Sequence, residues 1–166
     1  MEHSENTLSL HPFSHKDKEN MLDILTSKLV NPTYMLPDFE KREDAAPLFQ
    51  RLMNLSQDEA RFVRGIYLDD ECIGFMNDVE QDGGSIEMGY VIHPDHWGKG
   101  YMTQALKLAI GELFQRGFNQ VVCGAFSQNT ASRRVMEKAG MQLIEKSEDI
   151  EYRGKTHFCV YYAIDK

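Results

Sequence analysis

GSIEMGYVIHPDHWGKGYMTQALKLAIGELFQRGFNQVVCGAF, residues 84–126, reads in succession as a strand, a glycine loop, a helix and a second strand. In 84–92, Ile86, Met88, Tyr90 and Ile92 share one face and Glu87 and Gly89 the other, the period of two that marks a strand. From Met102 onward, Ala105, Leu106, Ala109, Ile110, Leu113 and Phe114 follow i, i+3, i+4, i+7 spacing, and Gly117 closes that helix as a C-cap. QVVCGAF (120–126) is a short buried strand. A strand–helix–strand unit brings its second strand back parallel to the first through a right-handed crossover, so an α/β sheet is built around this segment.

Upstream, Asp82-Gly83-Gly84 is a strong hairpin signal. It joins 84–92 to ECIGFMND (71–78), and the acidic turn Asp69-Asp70 joins that to ARFVRGIYL (60–68), giving an antiparallel meander. TLSLHPF (7–13) is a first strand. Met21, Ile24, Leu25 and Leu29 fall at helical spacing until Asn31-Pro32 breaks it. Ala45, Leu48, Phe49 and Leu52 suggest a second short helix, after the loop VNPTYMLPDF. Downstream, NTASRRVMEKAG (129–140) is a helix ending at a capping glycine, and two strands (141–151 and 156–164) meet through YRGK. The expected order is β-α-α-β-β-β-α-β-α-β-β, a mixed parallel and antiparallel twisted sheet flanked by helices. Alternation in the second half predicts parallel neighbours there. With 166 residues and no internal repeat or linker, 1–166 reads as a single domain.

Hydrophobic residues make up 42% and charged residues 27%, the proportions of a globular chain rather than a disordered one. No run reaches the ~18 apolar residues a bilayer span needs, and the acidic, polar MEHSENTLSL has no secretory pattern. Cys72, Cys123 and Cys159 are widely spaced without a C-x-x-C pair, which argues against a zinc site or disulfide framework and for a reducing, cytoplasmic compartment. The net charge of −8 disfavours a nucleic-acid partner and would mildly attract a cationic one, although it also serves solubility. His93 and His96 have no nearby third ligand, so no metal is expected.

Gly98 and Gly100 sit between a strand and a helix. A helix start carries unpaired N–H donors and roughly half a positive charge, which suits an anion. Residues without a Cβ let a diphosphate lie against the main chain, and Lys99 adds charge at the rim. A tight turn needing glycine for its geometry alone reads equally well. A dinucleotide fingerprint fails because Thr103 stands where a third glycine is required, and the P-loop pattern is also unmet.

VIHPDHWGKGYMTQAL followed by NTASRRVMEKAGM resembles the two signature segments of the GNAT N-acetyltransferase superfamily, and most of all its ribosomal-protein N-terminal acetyltransferase-like branch. The resemblance is strong over residues 85–145 and looser over the whole chain. It implies a GNAT-like fold and acetyl-coenzyme A as cosubstrate, with Trp97, Gly98, Lys99, Gly100, Tyr101, Met102 and Thr103 at the coenzyme's diphosphate. It also implies that a strand amide among Tyr90, Val91 and Ile92 polarises the thioester carbonyl while the pantetheine arm pairs with that strand. Asp95 departs from the Gln or Arg that opens the loop motif elsewhere in the superfamily, which fits the ribosomal-protein-like branch.

The implied reaction is acetyl transfer to a primary amine, at a protein N-terminus or on a small molecule, by direct attack. An amine must lose a proton as it attacks, and Glu87 is the candidate base; a plain polar strand residue is the alternative. The departing thiolate needs a proton or a strong hydrogen bond. Many family members place a tyrosine seven residues after the motif asparagine, but that position from Asn129 is Met136, so Ser132 is the natural substitute. Asn129 resembles the family's contact to the pantetheine amides, and is equally a good helix N-cap; Ser132 could be a first-turn hydroxyl. Arg133 and Arg134 either reach the ribose phosphate or lie on a solvated face, and Trp97 is expected to pack under the loop. The partners expected are the amine-bearing acceptor and, as an open alternative, a second copy of the chain in a homodimer, with no membrane. A non-catalytic acetyl-coenzyme A sensor is the competing reading.

Overall fold

The computed structural model describes residues 7–166; the start of the chain, Met1 to Asn6, lies outside them, and with it most of the polar N-terminal stretch read above. Seven strands, β1 (Leu8–His11), β2 (Val63–Leu68), β3 (Glu71–Asp82), β4 (Ser85–Ile92), β5 (Gln120–Phe126), β6 (Gln142–Tyr152) and β7 (Lys155–Asp165), form one sheet in the spatial order β1-β2-β3-β4-β5-β7-β6. Helices α1 (Lys18–Leu25), α2 (Ala46–Ser56), α3 (Tyr101–Gln115) and α4 (Thr130–Lys138) complete the expected order along the chain. No helix among the described residues is long and apolar enough to cross a membrane.

β2, β3 and β4 form the antiparallel meander, and α3 returns the chain so that β5 lies parallel to β4. The next crossover departs from expectation. β6 runs in the same direction as β5, but β7 is inserted between them, antiparallel to both. Burial demand explains the order. Cys159 to Ala163 of β7 are buried whichever way they point, whereas β6 is exposed along most of its length and rich in charge. A strand apolar on both faces belongs inside the sheet, and a charged one protects its edge. The α1 stripe is also shorter than expected: the helix stops at Leu25, and Leu29 lies beyond it, 62% exposed.

The period of two along each strand divides the core. On one face Leu106, Ile110 and Leu113 of α3 and Met136 of α4 pack on Met76, Ile86, Met88 and Val121. On the other face α1 and α2 pack Met21, Leu22 and Phe49 on Val63, Phe75 and Val91. Val122, Cys159, Tyr161 and Ala163 of β5 and β7 form a separate small buried cluster on that second face, with Phe126 of β5 and Ile144 and Ile150 of β6 packed against it.

Leu106 is fully buried on the α3 stripe, while Leu108 is 47% exposed on the same helix. Leu106→Ala is expected to cost about 2–5 kcal/mol in urea unfolding, and Leu108→Ala less than about 0.5 kcal/mol. Equal losses at the two positions would contradict this assignment of the helix face.

Candidate active site

β4 and β5 pair only from Ser85 with Gln120 to Met88 with Cys123. Beyond that point β4 stays with β3 as far as Ile92, and β5 stays with β7 as far as Phe126. The sheet is thus open between Gly89–Ile92 and Gly124–Phe126. The amides of β4 that face the opening follow from two hydrogen bonds. The Ile92 carbonyl accepts from Trp97 Nε1 at 2.8 Å, and the His93 amide donates to the Ile73 carbonyl of β3 at 2.7 Å. Along an antiparallel strand, residues alternate in the side to which they turn both N–H and C=O. Tyr90 and Ile92 therefore turn their amides into the gap, and Val91 turns its own to β3. Of the three residues singled out in the sequence, Val91 serves the core instead, with its side chain buried against the α1–α2 cluster.

A turn over Pro94–His96 leads from β4 into the glycine loop, with the His93 ring nitrogen accepting from the Asp95 amide. Gly98 and Gly100 hold φ of 75° and 80°. A side chain in this left-handed region costs roughly 1–2 kcal/mol, so geometry alone justifies both glycines. A Cβ at either would meet nothing within 4 Å, so the space above the loop is open. Among the described residues, none offers an acceptor to the N–H groups of Gly98, Lys99, Gly100, Tyr101, Met102 or Thr103. The loop and first turn of α3 thus present consecutive free donors with the positive end of the helix behind them, the donor set that a diphosphate requires. Trp97 is 47% exposed, so it does not pack under the loop as expected; its indole N–H ties the loop to the end of β4.

Glu87 and Ser132 approach the gap from opposite faces. Glu87 stands just before the opening, on the face of α1 and α2, with its side chain 18% exposed. Burial raises its pKa, opposed by Lys146 and reinforced by Glu80 and Glu148. The Lys146 ammonium lies 3.9 Å from its carboxylate and over the Tyr161 ring. On the other face, Asn129 caps α4 by accepting from the Ser132 amide at 3.2 Å. The cap uses only Oδ1 and leaves the amide Nδ2 without an acceptor among the described residues, so the two readings of Asn129 are compatible. Ser132 Oγ lies 2.8 Å from the Tyr90 hydroxyl. Met136, where a phenol would otherwise be sought, is fully buried in the core.

Arg133 is partly committed within the fold: its Nε donates to the Tyr162 hydroxyl and its Nη1 to the Ser127 carbonyl. Arg134 remains exposed. Among the described residues, no group of three or more His, Cys, Asp and Glu side chains is arranged to hold a metal ion.

Several residues on the α1–α2 face beside the gap carry no sequence signal. The Tyr34 ring lies 3.4 Å from where a Cβ on Gly89 would stand, and its hydroxyl donates to Asn77 Oδ1 at 2.6 Å. Burial pushes this phenol up to about 12. A cavity of about 230 Å3 runs from Tyr34 along Leu36, Leu52 and Leu55 to Arg51 and Arg61. The Tyr152 hydroxyl, at the tip of the β6–β7 hairpin, accepts from the Leu36 amide at 3.2 Å and donates to the Asn31 carbonyl at 2.8 Å. Arg153 pairs with Asp38. These contacts fasten the α1–α2 connection to the hairpin, while Phe126 and His157 stack at 4.4 Å beside Tyr152.

Residues 7–142 match the family model described as an acetyltransferase (GNAT) domain. An uncharacterized N-acetyltransferase of Bacillus subtilis, YoaA, is 27% identical over 140 residues, which is 81% of this chain and 79% of the relative. Among solved structures, the ribosomal L7/L12 alpha-N-protein acetyltransferase RimL in complex with coenzyme A superposes with a TM-score of 0.82 at 19% identity, over 97% of this chain and 95% of RimL. The microcin C7 self-immunity acetyltransferase MccE in complex with acetyl-CoA and AMP gives 0.83 at 18% identity, over 98% and 94%.

Gly100→Ala tests the donor loop. The methyl meets no neighbour, but the backbone must keep a positive φ, so a stability loss of about 1–2 kcal/mol is expected. Coenzyme A affinity should fall roughly tenfold or more in calorimetry, about 1.4 kcal/mol per decade. Unchanged affinity would mean that these amides do not hold the phosphates.

Proposed function

The chain belongs to the GNAT acetyltransferase family, and we propose that it moves the acetyl group of acetyl-coenzyme A to a primary amine by direct attack within a ternary complex. The observation that carries this reading is the opening between β4 and β5, with Glu87 at one face and Ser132 at the other. Acetyl-coenzyme A supplies the acetyl group as a thioester. The free amides from Gly98 to Thr103 suit its diphosphate, Lys99 adds positive charge at the rim, and the amides of Tyr90 and Ile92 suit the pantetheine arm and the thioester carbonyl.

Each face then has one task. An α-amino group has an ordinary pKa near ~8 and a lysine amine near ~10.4, so either arrives mostly protonated near neutral pH. Glu87 takes up the amine's proton, and its burial makes it a stronger base than an exposed carboxylate. Ser132 directs a hydrogen bond to the sulfur as charge develops there, and the Asn129 cap holds the Ser132 backbone in place. The cysteines fit direct transfer rather than an acyl-enzyme. All are buried, and burial raises the thiol pKa of each, which suppresses the nucleophilic thiolate.

The acceptor enters on the face of Glu87, beside the fastened α1–α2 connection and β6–β7 hairpin. RimL acts on a ribosomal-protein N-terminus by its name and MccE confers microcin self-immunity; a protein N-terminus and a small-molecule amine are accordingly the two acceptor classes for this chain.

Incubation with acetyl-coenzyme A and a pool of peptides and small amines, followed by mass spectrometry, should yield an acetylated amine. Coenzyme binding without any product would instead identify a sensor. With the acceptor in hand, Glu87→Gln should lower kcat on the order of a hundredfold and leave coenzyme affinity unchanged. The wild-type kcat should fall with acid as Glu87 gains its proton, at a pH above the ordinary carboxylate range because the folded pKa is raised. The Gln variant should lack that limb. A wild-type profile in the variant would assign the proton to bulk water.

A further inference from the structure

The hydroxyls of Tyr90 and Ser132 form one unit. Tyr90 stands on the part of β4 that has parted from β5, and its ring packs into the core toward α4. Its hydroxyl lies 2.8 Å from Ser132 Oγ and 3.2 Å from the Ser132 carbonyl oxygen. The Ser132 amide is already committed to Asn129 Oδ1, so the backbone of this turn is fixed and only the rotation of the Ser132 hydroxyl is left to set.

That hydroxyl has one proton and two lone pairs. In one arrangement Tyr90 donates to the Ser132 carbonyl, and Ser132 spends its proton on the Tyr90 oxygen. In the other, Tyr90 donates to Ser132 Oγ, and the proton of Ser132 is free to point elsewhere. The second uses the shorter contact for the phenol's proton. It also polarises the serine O–H, since a hydroxyl that accepts a hydrogen bond becomes a better donor.

We propose that Tyr90 is a positioning residue for acetyl transfer: its hydroxyl donates to Ser132 Oγ and so turns the single proton of Ser132 into the gap, toward the departing sulfur. This rests on the assignment of Ser132 made above. The bookkeeping is that of a hydrogen-bond donor, not of an acid. The amine nitrogen bonds to the acetyl carbon, the carbon–sulfur bond breaks, and the electron pair stays on sulfur. An acceptor that arrives as an ammonium gives up two protons, one before the nitrogen attacks and one as the carbon–nitrogen bond forms, and each passes to Glu87 and on to solvent. The thiolate is held by the Ser132 O–H and takes its proton from solvent on release. Neither hydroxyl ionises, because a phenol is a weaker acid than a thiol and burial pushes the Tyr90 phenol further up.

Tyr90→Phe keeps the partly buried ring and removes the hydroxyl alone, so the fold should survive, with circular dichroism as the check. Ser132→Ala should lower kcat roughly ten- to hundredfold, the worth of one hydrogen bond to a charged group. Tyr90→Phe should lower kcat by roughly three- to tenfold with KM for acetyl-coenzyme A unchanged, a split that a purely structural role would not produce. In the Ser132→Ala background, Tyr90→Phe should have no further effect on kcat, because the tyrosine acts only through the serine. Multiplying effects in the double variant would overturn the inference, as would a full kcat in Tyr90→Phe beside a lowered one in Ser132→Ala. Should Ser132→Ala itself keep its kcat, the inference falls while acetyl transfer stands. Failure of the unmutated chain to acetylate any amine would remove the functional reading, and this inference with it.

Discussion

Two neighbouring strands that pair for only part of their length organise this molecule. β4 and β5 run together to Met88 and Cys123 and then part, because β4 continues with β3 and β5 with β7. Parting in the middle of a sheet leaves backbone groups that must find partners. Trp97 satisfies the Ile92 carbonyl from one side of the gap. The Tyr90 amide and the Ile92 N–H remain directed into it. Immediately beyond, the chain turns through two positive-φ glycines into α3 and presents a further run of free N–H groups. Opening and loop are consecutive in sequence, so one ligand with an amide-rich arm and a diphosphate can satisfy both.

The opening also connects the two faces of the sheet, which the core otherwise keeps apart. Glu87 belongs to the face of α1 and α2, and Ser132 to the face of α4. Each group can therefore be tuned by its own surroundings. Partial burial raises the basicity of the carboxylate, while the serine sits on a capped helix start beside the partly buried Tyr90 phenol. In the proposed reaction, an amine approaching from one face and a thiolate leaving toward the other need not share one set of charges, so the proton-accepting task is separate from the hydrogen-bond-donating one.

Local features were readable in the sequence. The strict alternation in 84–92 placed Glu87 and Gly89 opposite Ile86, Met88 and Tyr90, and the helix stripe from Met102 to Phe114 matched α3. The glycine loop was recognisable because positive φ favours glycine, and Gly98 and Gly100 hold φ of 75° and 80°. Long-range features were not readable. The insertion of β7 between β5 and β6 depends on which strand is buried on both faces, and that comparison needs the whole sheet. The Tyr152 contacts to Asn31 and Leu36 join segments more than 100 residues apart, and no spacing rule reports them. For Arg133 the sequence offers a phosphate contact or a solvated face, and neither reading foresees its bonds to the Tyr162 hydroxyl and the Ser127 carbonyl. Val91 shared a stretch with Tyr90 and Ile92, and only the bonds of Trp97 and His93 reveal which amides face the gap.

Residue-resolved amide hydrogen exchange, with and without coenzyme A, tests the central claim most directly. Ligand in the gap and on the loop should slow exchange at Tyr90 and Ile92 and across Gly98 to Thr103. It should leave Val91, already bonded to β3, at its ligand-free rate. Protection at Val91 without protection at Tyr90 and Ile92, or no change along β4 at saturating coenzyme A, would contradict the assignment of the gap as the binding site.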